Sequence, residues 1–354
     1  MHWIDLRSDT VTLPTPKMRK AMAEADLGDD VYGEDPTINR LQELAAERLG
    51  KEAGLFLPSG TMGNLVAVLT HCGRGDEVIM GDHGHTFLYE GGGISALGGV
   101  HPHIIPNQPD GTLLIEDISH AVRSNDIHFP HSQLLILENT HNKCGGAAIS
   151  RQKMLEISDA ARKVGLAIHL DGARIFNAAV DQGLQAKELT DMVDSVTFCL
   201  SKGLCAPVGS VLCGSKPFID QARRIRKQLG GGMRQAGVLA AAGIIALEEM
   251  VNRLKEDHER ASQLAKGLSL IEGIQLDKGS PKTNMVYIKF DPSLNLDADT
   301  CAVRLGEQGI KVGITGLRHF RLVCHYWISD DDIPKIINAF REALKKVKMI
   351  PQES

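Results

Sequence analysis

Leu166-Ala167-Ile168-His169-Leu170-Asp171-Gly172-Ala173-Arg174 and, one helical crossover later, Ser195-Val196-Thr197-Phe198-Cys199-Leu200-Ser201-Lys202-Gly203 decide how this chain is read. Each stretch is a short apolar run bounded by a glycine, the pattern of a strand buried on both faces. Each also delivers a reactive side chain where the run stops: Asp171 after the first, Lys202 after the second.

The same pattern recurs on both sides. Leu55-Phe56-Leu57 leads into a helical stretch at 61–71, Val78-Ile79-Met80 into one at 83–97, and Leu134-Leu135-Ile136-Leu137 into one at 152–164; Ser210-Val211-Leu212 closes the series. Strands and helices in alternation predict an α/β unit with a mostly parallel sheet and helices on both faces. Ligands bind such sheets outside the carboxyl ends of the strands. The residues just past those ends are Ser59, Gly60 and Thr61, then 82–85, then Glu138 and Asn139, then Asp171, then Lys202, so polar and reactive groups gather where a ligand belongs. Gly230-Gly231-Gly232 marks a turn before a long helix at 237–256. Beyond it, helices at 259–268, 299–308 and 332–345 and strands at 285–290 and 322–327 predict a small C-terminal α/β domain. The expected division is a large domain at 1–250, including the N-terminal segment, and a small one at 251–354, with a frayed end at 350–354.

Of the 354 residues, 43% are hydrophobic and 23% charged, the balance of an ordinary globular protein. A net charge of −5 with dispersed basic residues argues against nucleic acid or an anionic membrane as partner. The first nine residues carry Asp5, Arg7 and Asp9 and do not read as a signal peptide, and the longest apolar stretch is too short to span a bilayer. The seven scattered cysteines form no CxxC pair and read as reduced, mostly buried thiols of a cytoplasmic protein.

An aspartate at one strand end and a lysine at the next suit pyridoxal phosphate. The lysine holds the aldehyde as a Schiff base, and the aspartate keeps the pyridine nitrogen protonated so that the ring accepts electrons. Ser59-Gly60-Thr61-Met62-Gly63-Asn64, at a strand-to-helix turn, offers free amides to a phosphate; alone it reads better as an ordinary capped helix, and the phosphate reading wins only when joined to Asp171 and Lys202. Asp171 alone could cap a turn and Lys202 alone could be solvated; the pair carries the reading. Arg174 could pair with Asp171 or reach the cofactor's phenolic oxygen. Among 14 histidines, His83-x-His85 and His101-x-His103 have metal-like spacing, yet no carboxylate or thiolate completes a set, so no metal is expected. Stacking on a flat ring or moving a proton is the better use of one of them. Gly91-x-Gly93-x-x-Ala96 imitates a dinucleotide fingerprint but lacks a preceding strand.

The chain closely resembles the threonine aldolases over nearly its whole length. The resemblance is carried by 5–12 (DLRSDTVT), 30–37 (DVYGEDPT), 59–64 (SGTMGN), 137–142 (LENTHN), 171–175 (DGARI), 200–204 (LSKGL) and 231–235 (GGMRQ). It implies the aspartate-aminotransferase-like fold (fold type I) of pyridoxal phosphate enzymes and cleavage of β-hydroxy-α-amino acids, threonine or allo-threonine among them, to glycine and an aldehyde. Residue by residue, it implies that Lys202 is the Schiff-base lysine, Asp171 the partner of the ring nitrogen, Arg174 a neighbour of the ring oxygen, and Gly60 with Thr61 the phosphate cradle. His85 corresponds to the histidine stacked on the ring and His128 to a second histidine near the substrate hydroxyl; either could be the base. Asn139, Ser201 and Arg234 join the cofactor-binding set, and Ser8, Tyr32, Tyr89 and Arg321 the substrate-binding set. Arg321 would grip the carboxylate, with Arg318 as its rival. Tyr32 and Arg234 resemble residues that enter the site across a subunit boundary, which implies a homo-oligomer, a dimer within a tetramer. Other readings of the same residues are a β-eliminating lyase, a racemase, a metal-dependent aldolase using the histidines, and a cofactor-binding protein without turnover.

Overall fold

The computed structural model describes residues 3–345, so the end expected to fray, 350–354, lies outside the described residues. The chain divides into two compact units, Leu13–Val251 and, together, Met1–Thr12 with Asn252–Ser354. The N-terminal segment thus groups with the C-terminal unit and not with the large domain where the sequence reading put it. Strand β1 (Ile4–Asp5) pairs in parallel with Ile310 and Lys311, and Leu6 is fully buried in that unit's core. A two-residue strand whose partner lies near the other end of the chain leaves no periodic trace.

The large unit is built on a seven-stranded sheet of β2 (Ala53–Leu57), β3 (Glu77–Gly81), β4 (His101–Ile105), β5 (Ser132–Glu138), β6 (Ala167–Asp171), β7 (Ser195–Cys199) and β8 (Ser210–Gly214), in the order β2-β8-β7-β6-β5-β3-β4. The central pairs are parallel; β8 runs antiparallel to both β7 and β2. Every residue of β3, β7 and β8 is buried, as continuous apolar strands covered on both faces must be. Between β5 and β3 the strand order reverses, which opens a crevice at their carboxyl ends. The stretch expected as one helix at 83–97 is two short ones, His85–Leu88 and Gly93–Ala96. Gly91 and Gly92 between them have φ of 63° and 66°, a left-handed conformation that ends a helix.

In the second unit, β9 (Ile274–Leu276), β10 (Met285–Phe290), β12 (Gly313–Gly316) and β13 (His319–Val323) form an antiparallel sheet ordered β12-β13-β10-β9, while β11 (Ile310–Lys311) holds β1. Helices Val251–Leu268, Ala298–Gly306 and Asp332–Lys345 accompany this sheet, and Phe290, Phe320 and Phe340 pack in its core with ring centroids 5.1 and 6.0 Å apart. The break expected near 257 is absent: Val251–Leu268 is one helix, preceded by a π-helical turn at Ala246–Met250.

None of the seven cysteines is joined in a disulfide, and all but Cys144 are buried. Burial pushes the Cys72 and Cys301 thiols up to about 12 and also raises Cys213 and Cys324, so at neutral pH they stay protonated and unreactive. A thiol-titrating disulfide reagent should therefore find one fast thiol in the folded protein, Cys144, and seven after denaturation. Rapid reaction of several thiols in the native protein would contradict this packing.

Candidate active site

The site is assembled from the carboxyl ends of β3, β5, β6 and β7 and from the helix Gly60–His71. Asp171 closes β6, is 3% exposed, and accepts two hydrogen bonds, from Asn64 Nδ2 to Oδ2 (2.8 Å) and from the Ala173 amide to Oδ1 (3.1 Å). Asn64 can reach it because Ser59 starts the helix beside the sheet, its Oγ capping the Met62 amide at 3.2 Å. The second amide proton of Asn64 goes to Glu90 Oε1 (2.8 Å), and the same oxygen meets His85 Nδ1 at 2.9 Å. His85 is anchored through its backbone as well, its amide donating to Glu138 Oε2 at 2.8 Å. A small cavity at the crevice is lined by Gly81, Gly84, His85, Glu138, His141 and Asp171.

The hydrogen bond to Glu90 raises the His85 pKa above the ordinary histidine value against the pull of burial; the charge of Asp171 adds to the rise and that of Lys202 opposes it. Ligand atoms of His85, Glu90 and Asp171 thus gather at one point of the crevice. Burial raises Glu90 above the ordinary carboxylate value, its bond to His85 acting the other way. Together the two shifts hold a proton on the His85–Glu90 pair to higher pH than either group would keep alone. With Nδ1 committed to Glu90, Nε2 is the ring nitrogen of His85 left to serve a ligand.

The expectation that no carboxylate joins the histidines does not hold. Ligand atoms of His85, Glu90 and Asp171 lie within 4.8 Å of one another, and His103 meets the buried Glu77 at 3.2 Å. Neither group is arranged for a cation. Asn64 aims amide protons at both carboxylates of the first, and Arg123 Nε donates to Glu77 at 2.8 Å in the second.

The remaining expected residues are placed as follows. Lys202 sits in the turn after β7, half-buried. Ser201 is its half-buried neighbour, and buried Arg174 starts the helix Ile175–Gln182 after β6. Gly60 and Thr61 open the helix Gly60–His71, where backbone amides lack intrahelical acceptors. The Tyr89 ring lies 5.5 Å from that of His85. Asn139 is fully buried, but its side chain is turned to Ile149, donating to its carbonyl (3.0 Å) and accepting from its amide (3.1 Å), so it braces the strand end. His128 is solvated, its side chain 79% exposed and its Nδ1 2.6 Å from Asp126 Oδ1. Tyr32 is 76% exposed, and its loop joins Arg234: the Asp30 amide donates to the Arg234 carbonyl (3.1 Å) and Arg234 Nη1 to Asp29 (2.8 Å). Ser8 and Arg321 belong to the second unit, where Arg321 Nη2 donates to the carbonyl of Arg7 at 3.1 Å. Arg318 is spent on structure, its Nη1 donating to the carbonyls of Asp291, Pro292 and Leu294. Asn64, Glu90 and His169 were missed as site residues. The signal was there for two of them: Asn64 stands in the quoted stretch 59–64, and His169 lies two positions before Asp171 on a strand and therefore on the same face.

Residues of this chain fit pyridoxal phosphate. A buried carboxylate ends β6, a half-buried histidine ring lies beside it, and Glu90 Oε2 is buried with no hydrogen-bond partner. At the helix start, a Cβ on Gly60 would come within 2.9 Å of Cys199 Sγ, so only glycine lets the backbone lie that close to the strand end.

The fold and these groups define an α/β protein with a titratable site at the switch point of a mostly parallel sheet. The family described as beta-eliminating lyase matches residues 5–291, and the chain belongs to it. Over 347 residues it is 45% identical to low-specificity L-threonine aldolase 1 of Arabidopsis thaliana, covering 97% of each chain. Over 345 residues it is 45% identical to the low specificity L-threonine aldolase of Escherichia coli (strain K12), covering 97% of this chain and 100% of that one. Among solved structures, a threonine aldolase from Leishmania major superposes with a TM-score of 0.81 at 22% identity, covering 96% of this chain and 99% of that one. Serine palmitoyltransferase from Sphingomonas wittichii does so with 0.75 at 19%, covering 96% and 87%. These two likenesses concern the fold.

Proposed function

We propose that this protein is a pyridoxal phosphate-dependent, low-specificity threonine aldolase, a carbon–carbon lyase that cleaves L-threonine, L-allo-threonine and related β-hydroxy-α-amino acids to glycine and an aldehyde. The observation that carries the reading is the meeting of His85, Glu90 and Asp171 at the strand ends, their ligand atoms within 4.8 Å of one another. The same reading follows from 45% identity to curated enzymes of that name over nearly full length. When bound, pyridoxal phosphate supplies an electron-accepting ring conjugated to the substrate's Cα.

The chain's own residues do the rest. Lys202 Nζ would hold the cofactor's aldehyde carbon. Asp171 would hold the ring nitrogen, Arg174 the ring oxygen, and the amides of Gly60 and Thr61 the phosphate. Ser201, Asn139 and the partner-facing Arg234 complete the cofactor set, Asn139 by bracing the strand end. Ser8 and Arg321 take the substrate carboxylate, and Tyr32 and Tyr89 flank the substrate. His85 Nε2 takes the proton from the β-hydroxyl as the Cα–Cβ bond breaks; His128, solvated beside Asp126, is the second histidine for that step. Tyr32 and Arg234 share one exposed surface, which supports their entering a neighbouring subunit's site in a homotetramer. The seven thiols, none joined in a disulfide, support a cytoplasmic setting. No helix of the described residues is long and apolar enough to cross a membrane.

The test is product analysis on each threonine isomer. Equal yields of glycine and acetaldehyde support the aldolase. Ammonia with a keto acid would mark β-elimination, a change of optical rotation alone a racemase, and activity lost in EDTA but resistant to hydroxylamine a metal enzyme. Light scattering of the purified protein should give four chains per particle.

The two arginines divide in the same assay. Arg321→Ala removes a charge-assisted pair and should raise KM for threonine about tenfold to a hundredfold. Arg318→Ala frees three carbonyls from their donor and should instead lower the melting temperature with KM little changed. The reverse pattern would give the carboxylate to Arg318.

A further inference from the structure

Behind Asp171 runs a chain of polar side chains, Asn64, His169 and Ser195 buried and His71 half-buried. Asn64 Oδ1 is 3.2 Å from His169 Nε2, His169 Nδ1 is 2.9 Å from Ser195 Oγ, and Ser195 Oγ is 2.8 Å from His71 Nε2. The geometry follows from the sequence. Asn64 and His71 are two turns apart on one helix and so share a face. His169 and Asp171 alternate along β6, and His169 is the register partner of Ser195 on β7. Buried groups of this kind are costly unless each finds a partner, and a satisfied network then specifies one arrangement.

Here the arrangement also fixes every proton. Glu90 Oε1 and Asp171 Oδ2 only accept, so Asn64 must turn its NH2 to them and its carbonyl oxygen to His169. His169 Nε2 must then carry a proton. His169 is completely buried, and burial pulls its pKa down to about 3, so the ring is neutral and Nδ1 is bare. Nδ1 accepts from the Ser195 hydroxyl, whose oxygen accepts from His71 Nε2–H; burial lowers His71 to about 4, so it too is neutral.

We propose that His71, Ser195, His169 and Asn64 form a one-way hydrogen-bond chain in which His169, acting through Asn64, is a positioning residue for Asp171. Without the donor at His169, Asn64 Oδ1 is left in the interior without that bond, and the side chain that holds Asp171 Oδ2 loses its anchor on the far side. With the donor in place, Asp171 keeps one orientation, its remaining acceptor edge turned to the cofactor's ring nitrogen. No proton moves along the chain; its work is static. The inference rests on the aldolase reading above.

The direct test is 15N NMR of histidine-labelled holoenzyme, with the His169 signals assigned by their loss in His169→Gln. A neutral ring protonated at Nε2 is expected; an Nδ1–H tautomer or an imidazolium at His169 would overturn the proposal. Variants give a second reading. His169→Gln keeps an N–H donor toward Asn64 and should retain most activity and the native cofactor spectrum. His169→Leu should lower kcat about tenfold, the worth of one buried hydrogen bond, with KM for threonine nearly unchanged and the bound cofactor's absorption bands altered. A folded His169→Leu with native spectrum and kcat would also overturn it. Should that variant not fold, the tautomer in the wild-type protein decides. Absence of aldehyde release from the wild-type enzyme would refute the aldolase reading separately, since the tautomer is read without turnover.

Discussion

Lys202→Ala should yield a folded protein that holds no covalent chromophore after dialysis and whose turnover of threonine falls at least about a thousandfold. The fold should survive because the turn that carries Lys202 is tied by its backbone: Leu200 donates to the Gly209 carbonyl (3.0 Å), Ala206 to that of Leu200 (3.1 Å) and Cys205 to that of Lys202 (2.9 Å). None of these bonds involves the lysine side chain. What the variant loses is the amine in the turn after β7. Borohydride reduction of the wild-type holoenzyme should fix the cofactor on the peptide containing Lys202, and the same treatment of Lys202→Ala should label nothing. A yellow, active Lys202→Ala would remove the residue from its assigned role.

Much of this arrangement was legible in the sequence. Strands buried on both faces read as unbroken apolar runs, so their ends, and the reactive groups beyond them, could be placed before any coordinates. Where the interaction is local, the reading held: Ser59 caps the helix it was expected to open. It failed where partners are distant or where a side chain has two uses. Nothing in the run 210–212 distinguishes an antiparallel strand from a parallel one, because burial on both faces erases the alternation that direction would leave. The pairing of Ile4 and Asp5 with Ile310 and Lys311 is as hidden. Asn139 stands at a strand end, as a ligand group should, but spends both polar atoms on Ile149. Nor does the sequence tell that Arg318, three residues before Arg321, spends its Nη1 on three backbone carbonyls. Asn64 belonged to a quoted motif, yet its role needed the register of His169 against Ser195 to become visible.

Asp171→Asn should be the next most damaging change, costing about a hundredfold to a thousandfold in kcat while part of the cofactor is retained through Lys202. Both oxygens of Asp171 accept from the protein, Oδ2 from Asn64 and Oδ1 from Ala173. An asparagine has one oxygen, so its NH2 must face either the Ala173 amide or the NH2 of Asn64, donor against donor. The side chain then rotates or leaves a buried donor unmet, at about 1–3 kcal/mol. The charge opposite the ring nitrogen is lost as well. That loss is felt most where negative charge develops on the ring as the Cα–Cβ bond breaks, so kcat should fall further than KM rises. Asp171→Glu keeps the charge but displaces it by one methylene, and should fall between the two. The measurement is kcat and KM on L-threonine, with the cofactor spectrum of each variant recorded after dialysis. If Asp171→Asn turned over within about tenfold of the native rate, the carboxylate at the end of β6 would be holding Asn64 and Ala173 in place and doing little for the ring.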